Sequence, residues 1–370
     1  MKIIKILLAL LLLCACSSFE SEDIVLKDNK QVNHVVSFNA VGDNLIHKRL
    51  IDEAKKGNTY DFTSYYQNIK PYIKKADISF INQETILAGK QRGYSGYPVF
   101  NTPDEMAKAL YDTGFDVVNG SNNHALDKGE DGMTHSIETF NQYDMKYIGL
   151  RENDIPVIEK NGVKISFLSY NQSLNYNQQS NSLKNFDKTQ IKNDVKKAKS
   201  ISDVVIVSCH WGIEYDNEPQ PFQKEYASYL ADLGVDVIIG THPHTLQPIQ
   251  WVQGQNGHKT LVAYSLGNFI SGMLEENVQL GGMLSFDIVK KSHSISIENV
   301  TLTPLVNHYQ AHSENVYNSR YGFKVYRLKD YTETLSAQHG INGYKGRFIS
   351  IEKMKNRAKS LAGKNINVDM

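Results

Sequence analysis

The amino-acid sequence predicts an α/β protein: an α/β sandwich of mixed sheets flanked by helices. Two observations carry the prediction. Short runs rich in Val and Ile alternate with amphipathic stretches, and each run stops at glycine or at a polar cluster. After these, Gly282–Val289 and Ser294–Pro304 switch to period-two alternation around a short turn, the pattern of an antiparallel hairpin. A mainly parallel arrangement joined by antiparallel strands from the C-terminal half follows.

The elements are expected in this order. Val35–Val41 is a strand running into Gly42-Asp43-Asn44. Leu45–Lys56 has helical spacing, and Asp61–Lys74 is a helix interrupted near Pro71. Ala76–Ile81 is a strand that ends in Asn82-Gln83-Glu84. Gly89–Phe100, rich in glycine, proline and aromatics, is a loop able to fold over a site. Thr102-Pro103-Asp104-Glu105 has the signature of a helix start, with Thr102 as N-cap and Gly114 as the stop. Phe115–Val118 is a strand closing on Asn122-Asn123-His124, and a helix covers Gly129–Tyr143. Val163–Tyr170 is a strand, and the Asn/Gln/Ser-rich stretch Asn171–Ser182 is a mobile loop. Asp187–Ser200 is an amphipathic helix with a solvated lysine face. Asp203–Ser208 is a strand leading into Cys209-His210-Trp211-Gly212, and the helix Phe222–Leu233 is capped by Gly234. Val235–Ile239 is a buried strand that delivers Gly240-Thr241-His242-Pro243-His244. Thr260–Leu266 is a strand leading into Gly267-Asn268-Phe269. Past Glu314 the pattern weakens to a mixed stretch over Val316–Asp330 and a basic helix over Ile351–Ala362.

Lysine plus arginine (40) balances aspartate plus glutamate (40), so no bulk charge argues for a nucleic-acid partner. The N-terminus has a basic start, an apolar core too short to span a bilayer, and Leu13-Cys14-Ala15-Cys16-Ser17. A small residue before a cysteine resembles a lipobox, with Cys16 as the lipidation site. The expected organisation is therefore a lipoprotein signal peptide over 1–16 and a polar tether over 17–33. A single domain over 34–313 and a C-terminal extension over 314–370, able to pack on that domain, complete it. The expected location is the extracytoplasmic face of the cell membrane, held by the lipid anchor. After cleavage Cys209 is the one other cysteine, so no disulfide forms within the body; directly after an apolar strand it reads as a buried structural thiol.

Polar, metal-competent side chains recur at strand ends: Asp43, Glu84, Asn123 with His124, His210, then His242 with His244, and Asn268. Open α/β sheets bind ligands outside the carboxyl ends of their strands, so one sheet edge would gather these residues in a crevice. Two divalent ions need a bridging carboxylate with His, Asn and Asp around them, and the mixed N/O donors suit Mn, Fe or Zn, one ion or two.

Gly42-Asp43, Asn82-x-Glu84, Asn122-Asn123-His124, His210-Trp211-Gly212-x-Glu214-Tyr215, Gly240-x-His242-Pro243-His244 and Tyr264-Ser265-Leu266-Gly267-Asn268-Phe269 occur in that order. In this the chain resembles the CapA/PgsA family of poly-γ-glutamate capsule biosynthesis, a branch of the calcineurin-type metallophosphoesterases. The resemblance implies a metallophosphoesterase-like sandwich and a metal-dependent hydrolase-like site. It assigns Asp43 and His244 to one metal, Glu84 to the bridge, and Asn123, His210 and His242 to the second metal. It makes His124 the general acid and places Trp211, Glu214 and Asn268 around the substrate or behind the ligands. Its implied partners are poly-γ-glutamate or a related anionic polymer and the membrane synthase subunits, in synthesis or export; a non-catalytic scaffold of the same complex is the alternative. The pattern departs at two places: Leu45 stands where an imidazole is usual, and Glu84 where the bridge is usually Asp. His47, expected on the following helix, is a poor substitute.

Overall fold

The computed structural model describes residues 34–149, 155–175, 180, 182–292, 294–312 and 315–370. The expected signal peptide, Cys16 and the expected tether lie outside the described residues, as does part of the loop expected over Asn171–Ser182.

In chain order the first part contains β1 (His34–Leu45), α1 (Lys48–Ala54), the small pair β2 (Lys55–Lys56) and β3 (Thr59–Tyr60), α2 (Thr63–Tyr66) and α3 (Lys70–Ile73). It continues with β4 (Ile78–Gln83), α4 (Glu105–Thr113), β5 (Val117–Asn119), α5 (Gly129–Asn141) and β6 (Lys146–Ile148). The middle part contains β7 (Val157–Lys160), β8 (Val163–Asn171), α6 (Lys188–Ile201), β9 (Val204–His210), α7 (Pro221–Asp232), β10 (Val237–Thr241), β11 (Ile249–Gln253) and β12 (Lys259–Ala263). The last part contains β13 (Asn268–Ser271), β14 (Leu280–Lys291), β15 (Ser294–Ala311), α8 (Val316–Ser319), β16 (Arg320–Arg327), α9 (Glu333–Ala337), α10 (Ile351–Leu361) and β17 (Asn367–Val368).

These strands form two mixed sheets, as expected. The first runs β16-β15-β14-β1-β4-β5-β6, with β13 added beside the end of β1; the second runs β11-β12-β10-β9-β8-β7. In each, a parallel centre is extended by antiparallel strands: β1, β4, β5 and β6 are parallel in the first, and β12, β10, β9 and β8 in the second. The sheets pack face to face through one core, where Phe38 of β1 stacks on Phe167 of β8 at 6.2 Å between ring centroids. Helices α6 and α7 cover the other face of the second sheet, where Ile191, Val195 and Leu230 meet Val205, Val207 and Ile238. Two buried apolar faces on the second sheet explain why its central strands read as continuous Val/Ile runs.

Two of these expectations change, and a third region gains detail. The helix expected over Asp61–Lys74 is two short helices, α2 and α3. Thr102 does not cap α4: that helix starts at Glu105 with Asp104 before it, and the Thr102 hydroxyl bonds Thr85 Oγ1 at 2.7 Å instead. The weakly patterned C-terminal stretch supplies β16, paired antiparallel with β15, while α10 buries Ile351, Met354, Ala358 and Leu361.

Candidate metal centre

Carboxyl ends from both sheets meet in one crevice. β1 delivers Asp43, β4 leads to Glu84, and the turns after β5 carry Asn123 and His124. From the facing sheet β9 ends at His210, and β10 is followed by His242 and His244. The gathering expected along one sheet edge thus takes place where two sheets meet.

Close backbone approach makes this possible. A Cβ on Gly42 would lie 1.9 Å from the carbonyl oxygen of Gly267, and one on Gly240 would lie 2.0 Å from that of Tyr264. Only glycine fits at either position. Beyond Gly240 the chain bends sharply: His242 has φ of 96° and His244 φ of 60°, both in the left-handed region that non-glycine residues avoid. Fixed between them is Pro243, whose carbonyl accepts from the Tyr215 amide at 2.8 Å. The turn holds the two rings 6.0 Å apart, and His242 lies 4.7 Å from the ring of His210.

Glu84 is fully buried at the centre. Its Oε1 has no hydrogen-bond partner among the described residues. That oxygen lies 3.8 Å from His210 Nε2 and 3.6 Å from His244 Nε2. Two donor sets share Glu84: one with His210 and His242, the other with Asp43 and His244, the donor atoms of each set lying within 4.8 Å of one another. Asn123 joins the first set through Oδ1, 3.0 Å from His210 Nε2. His244 Nδ1 bonds Asp43 Oδ2 at 2.9 Å, which turns its Nε2 toward Glu84.

A layer behind these groups fixes them. Ser169 donates to Asn119 Oδ1 at 2.7 Å, and Asn119 donates to Asn82 Oδ1 at 2.8 Å. This orients the Asn82 amide so that its Nδ2 donates to Asp43 Oδ1 at 2.8 Å and to Glu84 Oε2 at 3.3 Å. His210 Nδ1 meets Thr241 Oγ1 at 3.0 Å. Such partners set the tautomer and direction of metal-binding histidines.

The electrostatics fit a cation. Burial, then the neighbouring Asp43, push the Glu84 carboxyl well above the usual range. Burial, then His242, hold His210 well below the usual imidazole value, and burial, then His244, lower His242 to about 3. The His210 and His242 rings are therefore neutral, the form that ligates metal. A buried, unpartnered carboxylate oxygen among neutral imidazoles is a donor set that a divalent ion completes, so the residues present fit the group.

His124 is buried, with Nδ1 2.8 Å from Asp127 Oδ2. Phe100, at the end of the loop expected to fold over a site, presents its ring at right angles to His124 at 4.6 Å and to His47 at 5.4 Å. His47 precedes α1 and accepts from the Gly272 amide at 3.1 Å through Nδ1.

The remaining candidates disperse. Trp211 lies on the helix-covered face of the second sheet, stacked on Phe186 at 5.8 Å, its indole N–H donating to the Tyr264 carbonyl at 2.9 Å. It does not line the crevice, because residue 211 faces opposite to His210 along the chain. Glu214 is exposed at the rim, and its charge reaches Glu84. Asn268 pairs in register with Asp43, but its amide donates to Ser271 Oγ at 2.9 Å rather than to a ligand. Sequence reasoning missed Asn119, Ser169, Thr241 and Asp127 as parts of the site. A further omission is Tyr215, held at φ of 69° with its ring 6.4 Å from that of His244.

Fold and crevice together define an α/β sandwich with a candidate two-metal centre between its sheets. The chain belongs to the bacterial capsule synthesis protein family PGA_cap, whose model matches residues 37–273. It is 29% identical over 283 residues to the capsule biosynthesis protein CapA of Bacillus anthracis, covering 71% of this chain and 66% of that protein. It is 30% identical over 249 residues to the PGA biosynthesis protein CapA of Bacillus subtilis (strain 168), covering 64% of this chain and 63% of that protein. The alignments thus leave about a third of each relative's length unmatched. Among solved structures, the calcineurin-like phosphoesterase YfkN from Bacillus subtilis is similar at TM-score 0.44 and 13% identity, over 89% of this chain and 99% of that one.

Proposed function

We propose that the protein is a lipid-anchored, extracytoplasmic component of poly-γ-glutamate capsule synthesis or export with a metal-dependent hydrolase site. The observation that carries this reading is the buried Glu84, whose Oε1 is unpartnered among the described residues and which two donor sets share. Asp43 and His244 would hold one ion, Asn123, His210 and His242 a second, and Glu84 would serve both. Bound Mn, Fe or Zn would polarise the scissile group and activate water. The protein's own part is to fix the donors through Asn82 and Thr241, and to supply a proton to the leaving atom from His124, oriented by Asp127. The bond attacked is a phosphoester or an amide of the anionic polymer, and the partners are that polymer, the synthase subunits and, through Cys16, the membrane.

Elemental analysis tests the reading: the protein carries one to two equivalents of Mn, Fe or Zn, His210→Ala and His242→Ala lose them, and hydrolysis falls with metal content. Full activity in metal-free protein defeats it. A second reading, a scaffold without turnover, is favoured by Leu45, a buried leucine where an imidazole would enrich the donor set of Asp43 and His244. Polymer formation that survives His124→Ala but fails without the protein selects the scaffold.

A further inference from the structure

Beyond the crevice, β16 opens with an arginine that lacks a counter-ion among the described residues. Arg320 is only 2% exposed. Among the described residues its Nε and Nη1 have no hydrogen-bond partner, and neither has the buried Oγ of the preceding Ser319. Nη2 donates to the Tyr317 carbonyl at 3.0 Å. The guanidinium carbon lies 5.2 Å from the Tyr317 ring and 5.8 Å from the Tyr309 ring, and these rings are its principal company. Nearby positive charge adds to the problem, since Arg49 donates to the Arg320 carbonyl at 3.0 Å. A buried cation is ordinarily paired, because desolvation without a partner costs several kcal/mol.

We infer that Arg320, with Ser319, forms a binding site for an oxyanion of the carboxylate or phosphate class. Its position gives the site a purpose. Nη1 and the side chain of His47 both flank Gly272, within 3.4 Å and 2.7 Å of where a Cβ would stand. His47 in turn meets Phe100, which meets His124. The anion site therefore lies at the His47 end of the crevice. Tyr317, 60% exposed, is the outer wall, whereas Tyr309 is fully buried. That the anion is an acidic group of the substrate flanking the reacting bond rests on the function proposed above; the site itself rests on the unpaired charge.

Thermal unfolding of the metal-free protein in zwitterionic buffer at constant ionic strength, with glutarate or inorganic phosphate added, tests the site without turnover. Anion at about 100 times its Kd should raise the wild-type Tm by about 5 °C. Arg320→Met should show no such rise, and its Tm without anion should equal or exceed wild type, because an unpaired charge has been removed. Arg320→Lys, which keeps a charge but not the planar fork, should respond with at least about tenfold weaker affinity. A larger response to glutarate identifies a carboxylate site, and a larger response to phosphate a phosphate site. Equal anion responses in wild type and Arg320→Met, or no response in wild type, overturn the inference. Because no metal is present, these outcomes are independent of whether the centre hydrolyses anything.

Discussion

Asn82 sits between the two carboxylates of the centre and donates to both. Burial and the neighbouring Asp43 push the Glu84 carboxyl up, and the amide gives one oxygen of each carboxyl group a donor. Ser169 and Asn119 hold the amide in the productive orientation. Ser169→Ala removes the principal donor to Asn119 Oδ1 and should cost about 1–3 kcal/mol in urea unfolding, with the fold retained. Thr241→Val removes the partner of His210 Nδ1 while keeping the shape. It should weaken metal binding about 10–100-fold in a chelator competition titration, and the unpaired ring nitrogen should cost the metal-free protein about 1–3 kcal/mol.

At the scale of elements, the centre depends on glycines where strands press together. Gly240→Ala drives a Cβ into the Tyr264 carbonyl and should destabilise the protein by about 3 kcal/mol or more in denaturant titration. The strand ends were legible in the sequence because apolar runs stop abruptly at Asp43, Glu84, His210 and His242. The layer behind them was not. Asn119 and Ser169 look like ordinary turn and strand residues, and their roles arise from contacts across 37 and 50 positions of chain. Sheet membership was hidden for the same reason, since periodicity shows that a run is a strand but not which strands it joins. Trp211 is different. Counting alternation from His210 places it on the opposite face, so that signal was present in the residues themselves. The cap expected at Thr102 failed because its hydroxyl found Thr85, a tertiary partner that local propensity does not see.

At the scale of the whole molecule, the C-terminal stretch is part of the fold, and it carries its own pH dependence. His339 accepts from the Ile341 amide at Nδ1 and bonds the Asn307 carbonyl through Nε2, so its buried ring is neutral. Burial first, then the backbone and neighbouring charges, set His339 to about 3, and burial lowers His308 to about 4. Unfolded histidine titrates near 6.5. Between those values the unfolded chain binds more protons, so the stability contribution is complete above about pH 6.5 and is lost as pH falls toward 4. Urea titrations from pH 7 to pH 4 should show this decline. His339→Gln should start less stable, and its deficit should shrink by up to about 1.4 kcal/mol per pH unit below pH 6. A constant deficit would exclude this role.

The bond between Asp43 and His244 joins residues 201 apart, and β13, starting at Asn268, lies in register beside Asp43. The centre therefore has no local precursor. A nascent chain that ends before β13 contains every proposed ligand but lacks the strand that flanks Asp43. Contacts of such long range form late and slowly. On the proposed function, metal capture would belong to the final stage of folding, and a pulse of metal given early in refolding should be no more effective than one given at the end.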